Sequence, residues 1–119
     1  MIPNIKITDV HVEDIRVPTS DYLLGSDPFH REPGYSAVVI SLKTDAGFEG
    51  NSVVFNLGAG NDWIAYGIRD LASLLKGRTL EDFVQAPAKL QQLMMEHHQM
   101  RWLADGVFRM SVGGLVNAL

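Results

Sequence analysis

Asp27, His30, Arg31 and Glu32 crowd one short stretch of the chain, with Tyr22, Phe29 and Tyr35 around them. A histidine among carboxylates can hold or pass a proton near neutral pH, and polar and aromatic groups on one loop can grip and cover a small polar ligand. The same mixture of charges is also what a solvated surface loop carries. From Thr19 to Pro33 the chain is rich in Ser, Asp, Gly and Pro and has no period, so it is expected to be one long loop. Loops of that length inside a small domain are usually lids, binding loops or disordered segments.

Two other groups of residues invite a chemical reading. Glu96-His97-His98 suggests metal, but adjacent residues on a helix point about 100° apart, and the i, i+4 histidine pair that zinc favours is missing. His97 falls between Leu93 and Met94 on an apolar helix face, where a partnered core or interface histidine is expected. Gly58-Ala59-Gly60 follows an expected strand and opens an expected helix, the place of a dinucleotide fingerprint. The third glycine would fall at Trp63, and no parallel strand follows. A tight strand-to-helix turn is the plainer reading, with the helix's first N–H groups free to face an anion. No Ser/His/Asp order, acidic pair, phosphate-binding loop or internal repeat is convincing.

The elements that must position these residues are strands first and helices second. Ile5, Ile7, Val12, Ile15 and Val17 alternate with polar residues, with a slip near Asp9-Val10 that reads as a bulge. Tyr35 to Thr44, the turn Asp45-Ala46-Gly47, and Phe48 to Leu57 read as a hairpin. Asn61 or Asp62 can cap a helix whose stripe is Ile64, Ile68, Leu71 and Leu75, with Gly77 as its stop. Gly67 inside that helix implies a close packing contact. Thr79 to Asp82 forms a capping-box pattern, and Pro87 suits the first turn of a helix carrying Leu90, Leu93 and Met94. A last helix begins near Asp105 and has two apolar stripes, Phe108, Val112, Leu115, Leu119 and Val107, Met110, Gly114, Ala118. Only one is expected to face the sheet, so the other should drive self-association. The helix reaches Leu119 without a stop signal, so the chain reads as one domain, 1–119, truncated within its last helix.

Length and composition agree with one globular domain: 119 residues, 46% hydrophobic, 20% charged. Ten basic against fourteen acidic residues give a net charge of −4, and the basic ones are scattered, which argues against a nucleic-acid partner. Cysteine is absent, which excludes a disulfide framework and suits a cytoplasmic home. No apolar run approaches the ~20 residues of a membrane span, and Met1 to Lys6 lacks the charged-then-apolar layout of a signal peptide.

In order and spacing the chain resembles the N-terminal capping domain of the enolase superfamily, in its mandelate racemase/muconate lactonizing branch, and within it the L-fuconate dehydratase family. The resemblance is carried by Arg16-Val17-Pro18-Thr19-Ser20, Gly25-Ser26-Asp27, Pro33 to Ala37, Val54 to Asp62, Gln99 to Leu103, and Gly106 to Ala118. It departs from the family at Pro28 to Glu32, at Gly34 where Asp is common, at Asn56 where Thr is common, and near Asp105. The resemblance implies an α+β fold, a three-stranded antiparallel meander followed by a bundle of three to four helices, with the barrel domain absent from these residues. It implies an acid-sugar substrate and a dehydratase or related racemase chemistry. It places Mg²⁺ and the acid–base groups on the chain's own C-terminal barrel, so that no catalytic or metal-binding residue lies in this chain. The loops Ser20 to Tyr35 and Phe55 to Asn61 would cover the substrate, with Ser26, Asp27, His30, Tyr35 and Asn56 as binding residues. A homo-oligomer is expected. A stand-alone binding module with the same fold and a complete small enzyme are the other readings.

Overall fold

The computed structural model describes residues 4–22, 28–29 and 34–119. Its elements are β1 (Ile7–Val17), a 3₁₀ turn (Thr19–Tyr22), β2 (Tyr35–Thr44), β3 (Glu49–Asn56), α1 (Asn61–Ala72), α2 (Leu80–Gln85), α3 (Pro87–Met95), a second 3₁₀ turn (His98–Trp102) and α4 (Asp105–Ala118). The sheet is an antiparallel meander, β1-β2-β3, and the helices follow it, as expected for the fold class.

The bulge in β1 decides what each face of the sheet carries. Pairing with β2 slips between Ile7 and Asp9, and one extra residue inverts the alternation of everything after it. Ile7 and Val12 therefore share the inner face, although one is odd-numbered and the other even, and both are buried. Ile15 and Val17, expected on that same face, turn to the opposite one and are 42% and 51% exposed. In β2 the inward set is Ser36, Val38, Ile40 and Leu42, all buried.

α1 and α4 lie on the inner face and against each other. The contact needs small residues, because helix and sheet backbones approach more closely than side chains permit. A Cβ on Gly67 would stand 2.6 Å from Ser111 Oγ, and one on Gly114 2.7 Å from both Ile40 Cδ1 and Val54 Cγ2. Gly50 faces the carbonyl of Ala118 with no room for a methyl group. Ser52 Oγ donates to the Gly114 carbonyl at 2.6 Å, tying β3 to α4. The packing expected at Gly67 is thus present.

α4 differs from its expectation. It buries Val112 and Leu115 of one stripe, Gly114 and Ala118 of the other, and Ser111 of neither, because the sheet covers one flank and α1 the next. Met110, Val116 and Leu119 remain 37%, 42% and 36% exposed, so no whole stripe is left bare. α1 ends at Ala72 rather than at Gly77; its final turn tightens, with Leu74 N–H bonding Leu71 O and Leu75 N–H bonding Ala72 O. Thr79 and Asp82 form the capping box in full, and Pro87 opens α3.

Candidate functional site

The two loops expected to cover a ligand spring from one place. Ser36 is buried, and its Oγ accepts the N–H of Gly58 at 2.9 Å. Gly58 has φ 87°, and a Cβ there would stand 3.0 Å from the Gly34 carbonyl, so both the left-handed backbone and the tight contact require glycine. The start of β2 and the turn after β3 are therefore stitched together where β1 also ends.

The structure separates the two expected site residues that it describes. Ser36 is paired in register with Asn56, and Tyr35 with Val17. Side chains alternate along a strand, so Tyr35 and Asn56 leave the sheet on opposite faces. Tyr35 goes to the outer face and meets the ring of Phe55, centroids 5.7 Å apart. Asn56 stays with the turn: its Oδ1 accepts the Leu57 N–H at 2.7 Å, and its Nδ2 lies 3.9 Å from where a Gly60 Cβ would stand. Ser26, Asp27 and His30 lie outside the described residues.

On the same face of the sheet as Asn56, across β2 from it, is a polar cluster that was not singled out in the sequence. Arg16 Nε and Nη2 donate to the two oxygens of Asp14 at 3.1 and 2.9 Å, and Asp62 stands 3.8 Å from the same guanidinium. The fork of hydrogen bonds from Arg16 holds the Asp14 carboxyl below the usual carboxylate range, against its partial desolvation, with Asn61 adding to the effect. Asp14 in turn raises Arg16 further. The available signal was Asp14 and Arg16 two apart on a strand, where opposite charges share a face.

Contrary to expectation, neither Asn61 nor Asp62 caps α1; Gly60 stands at the cap position, with no side-chain bond. Asn61 is fully buried and its Nδ2 donates to Asp14 and, at 3.4 Å, to the Ala37 carbonyl. Its Oδ1 has no partner among the described residues. Tertiary demand has overridden the local preference for a cap.

This cluster can position a polar group. An arginine held by carboxylates keeps its proton, so it offers a fixed cation and hydrogen-bond donors. Among the described residues no three His, Cys, Asp or Glu side chains could hold a metal ion. These side chains do not fit Mg²⁺. His97 pairs with Asp70 at 2.8 Å, both partly buried, and ties the end of α3 to α1, as a partnered packing histidine should. A groove of about 640 Å³ between α2, α3 and the end of α4 is apolar and includes none of the loop residues. No described helix is long and apolar enough to cross a membrane.

No protein-family model matches the chain. Over 118 residues it is 33% identical to mitochondrial enolase superfamily member 1 of Xenopus laevis, and over 117 residues 33% identical to L-galactonate dehydratase of Hypocrea jecorina. These alignments cover 96% and 97% of the chain but 26% of each relative, so the chain spans about a quarter of the length of the curated relatives it matches. The crystal structure of human mitochondrial enolase superfamily member 1 superposes with a TM-score of 0.88 at 29% identity, over 97% of this chain and 27% of that one. An enolase from Bradyrhizobium complexed with magnesium and mandelic acid shares the fold, with a TM-score of 0.70 at 23% identity over 98% of this chain and 30% of that one. The relatives and structural neighbours are enolase-superfamily proteins. The three-stranded sheet followed by helices matches that superfamily's N-terminal capping-domain fold.

Proposed function

We propose that the chain is the N-terminal capping and specificity domain of a Mg²⁺-dependent sugar-acid dehydratase, closing over an active site built by a (β/α)₈ barrel of the same protein. The observation that carries this reading is the joining of the two loop roots at Gly34, Ser36 and Gly58, in a chain that resembles L-galactonate dehydratase along nearly all its length. The substrate is a sugar acid, L-fuconate or a relative such as L-galactonate, which carries one hydroxyl more, and the protein works in the cytoplasm.

The reaction removes the proton on the carbon beside the carboxylate and expels the hydroxyl of the next carbon; the resulting enol becomes a 2-keto-3-deoxy acid. Mg²⁺, which the barrel's carboxylates would hold, would supply Lewis-acid stabilisation of the negative charge that develops on the substrate. This chain's share is to cover the substrate, exclude water and read hydroxyl groups. Asn56, over the Gly58 to Gly60 turn, and Ser26, Asp27 and His30 supply polar contacts; Tyr35 supports the loop root from the outer face. A site that hydrogen-bonds hydroxyls discriminates strongly, since a mismatched epimer leaves buried groups unpaired.

The test is keto-acid formation from a panel of sugar acids with Mg²⁺, by the 119-residue chain and by the polypeptide that joins it to its barrel. The joined protein should turn over and the chain alone should not. Turnover by the chain alone would make it a complete enzyme, and a reading frame with no barrel would make it a stand-alone binding module; either overturns the proposal.

A further inference from the structure

The turn between β3 and α1 has a loose backbone. Gly58 and Gly60 both take positive φ, 87° and 86°, on either side of Ala59, and glycine is the residue with the widest choice of conformations. Within the turn, Ala59 N–H bonds the Leu57 carbonyl at 3.1 Å. Side chains hold it at its two ends. Ser36 Oγ takes the Gly58 N–H on one side, and Asn61, the first residue of α1, stands on the other.

Asn61 reaches two strands at once: Nδ2 donates to Asp14 on β1 and to the Ala37 carbonyl on β2. The Asp14 oxygen that it meets, Oδ1, also accepts Arg16 Nε at 3.1 Å, while Oδ2 accepts Nη2 at 2.9 Å, so the acceptor is itself held still. The same guanidinium lies 3.8 Å from Asp62, the residue after Asn61. The contacts therefore close a ring, from α1 to β1 and back to α1. Asn61 Oδ1 has no partner among the described residues, which in a fully buried group costs stability. A leucine, with the same branching, would carry no such cost. What the amide supplies and leucine cannot is a donor with a fixed direction.

We propose that Asn61 is a positioning residue: it bolts the start of α1 to β1 and β2, and so fixes the place of the Gly58–Gly60 turn and of the Asn56 amide that lies against it. Asn56 Nδ2 is 3.9 Å from where a Gly60 Cβ would stand, so its neighbour is the residue directly before Asn61. Substrate choice then depends on a buried side chain that touches no substrate. That consequence rests on the reading of Phe55 to Asn61 as a substrate-covering loop; the bolt itself does not. The charged groups around the bolt are Asp14 and Arg16 from β1 and Asp62 and Arg69 from α1, with the Ala37 carbonyl from β2.

The experiment has two readouts. The first is amide hydrogen exchange of the purified chain, followed by NMR. Asn61→Leu removes the donor, and the Gly58 N–H should lose roughly tenfold or more of its protection, the equivalent of one charge-assisted hydrogen bond, while the amides of β2 keep theirs. Asn61→Asp sets a second carboxyl against Asp14, and facing carboxylates share one proton. Read across about pH 5 to 9, its Gly58 protection should match the parent's in acid, where the shared proton restores a donor, and fall as that proton leaves. The acid arm shows that this variant folds, whatever becomes of the leucine variant. The second readout is the ratio of kcat/KM for two sugar acids in the polypeptide that joins the chain to its barrel, which both variants should shift roughly fivefold or more near neutral pH. Parent-like Gly58 protection in both variants at every pH, or a released turn with an unchanged ratio, would overturn the inference. A released turn in a joined protein whose parent turns over no sugar acid would sink the dehydratase reading alone and leave the bolt standing.

Discussion

The two faces of one sheet have opposite fates. On the inner face Val38, Ile40 and Leu42 are at most 1% exposed, sealed by α1 and α4. On the outer face of the neighbouring strand β3, Val53 and Phe55 stand about three-fifths open. Composition does not separate them, since both faces are rich in Val and aromatic or branched residues. Position does: the inner face holds the domain together, and the outer face, with the loop roots at its end, is left for contacts beyond the fold. The bulge near Asp9 makes this possible in β1 by moving Ile15 and Val17 out while keeping Ile7 and Val12 in.

The sharpest way to break that contrast is truncation on each face. Ile40→Ala should cost about 3–4 kcal/mol in urea unfolding, through lost burial and a cavity beneath α4. Val53→Ala should cost the monomer under about 0.5 kcal/mol. Equal losses would mean that the outer face also belongs to the core. Next in size, Gly50→Ala should cost about 2 kcal/mol, because its methyl group meets the Ala118 carbonyl and must push the end of α4 off the sheet. A neutral result would show that α4 is not seated there. Thr79→Ala should cost about 1 kcal/mol by removing the cap of α2.

The smallest expected effect is a pH dependence. The Asp14 carboxyl, held below the usual range by Arg16, binds its proton more weakly in the folded chain than in the unfolded one. Its contribution to stability is therefore present above about pH 4 and is lost as pH falls through the lower folded value. Asp14→Asn should be destabilising near neutrality, with the gap to the parent narrowing in acid. A gap that stays constant down to strongly acidic pH would show that Asp14 acts by packing alone.

Local signals made much of the fold legible. The hairpin, the bulge, the capping box at Thr79 and Asp82, Pro87 at the start of α3 and the tight contact at Gly67 are all short-range patterns with one physical cause each. What escaped was decided at longer range. A bulge can be suspected from sequence, but treating Ile7 and Ile15 as one stripe ignores the inversion that it imposes. Asn61 has the chemistry of a cap, yet Asp14 and Ala37 claim it from across the sheet. α4 has two stripes because two neighbours cover it, which no single-helix pattern shows. At the candidate site, Asn56 falls beside the Gly58 turn, while Tyr35, one alternation away, meets the ring of Phe55 at a tilt instead.

The central claim is that this domain chooses a substrate for chemistry done elsewhere. Its most direct test is the ratio of kcat/KM for two epimeric sugar acids, measured on the polypeptide that joins the chain to its barrel, for the parent and for Asn56→Ala. The account predicts a ratio changed by roughly tenfold or more, as loss of a hydroxyl-reading contact implies, with thermal stability nearly unchanged. An unchanged ratio at full activity would contradict it.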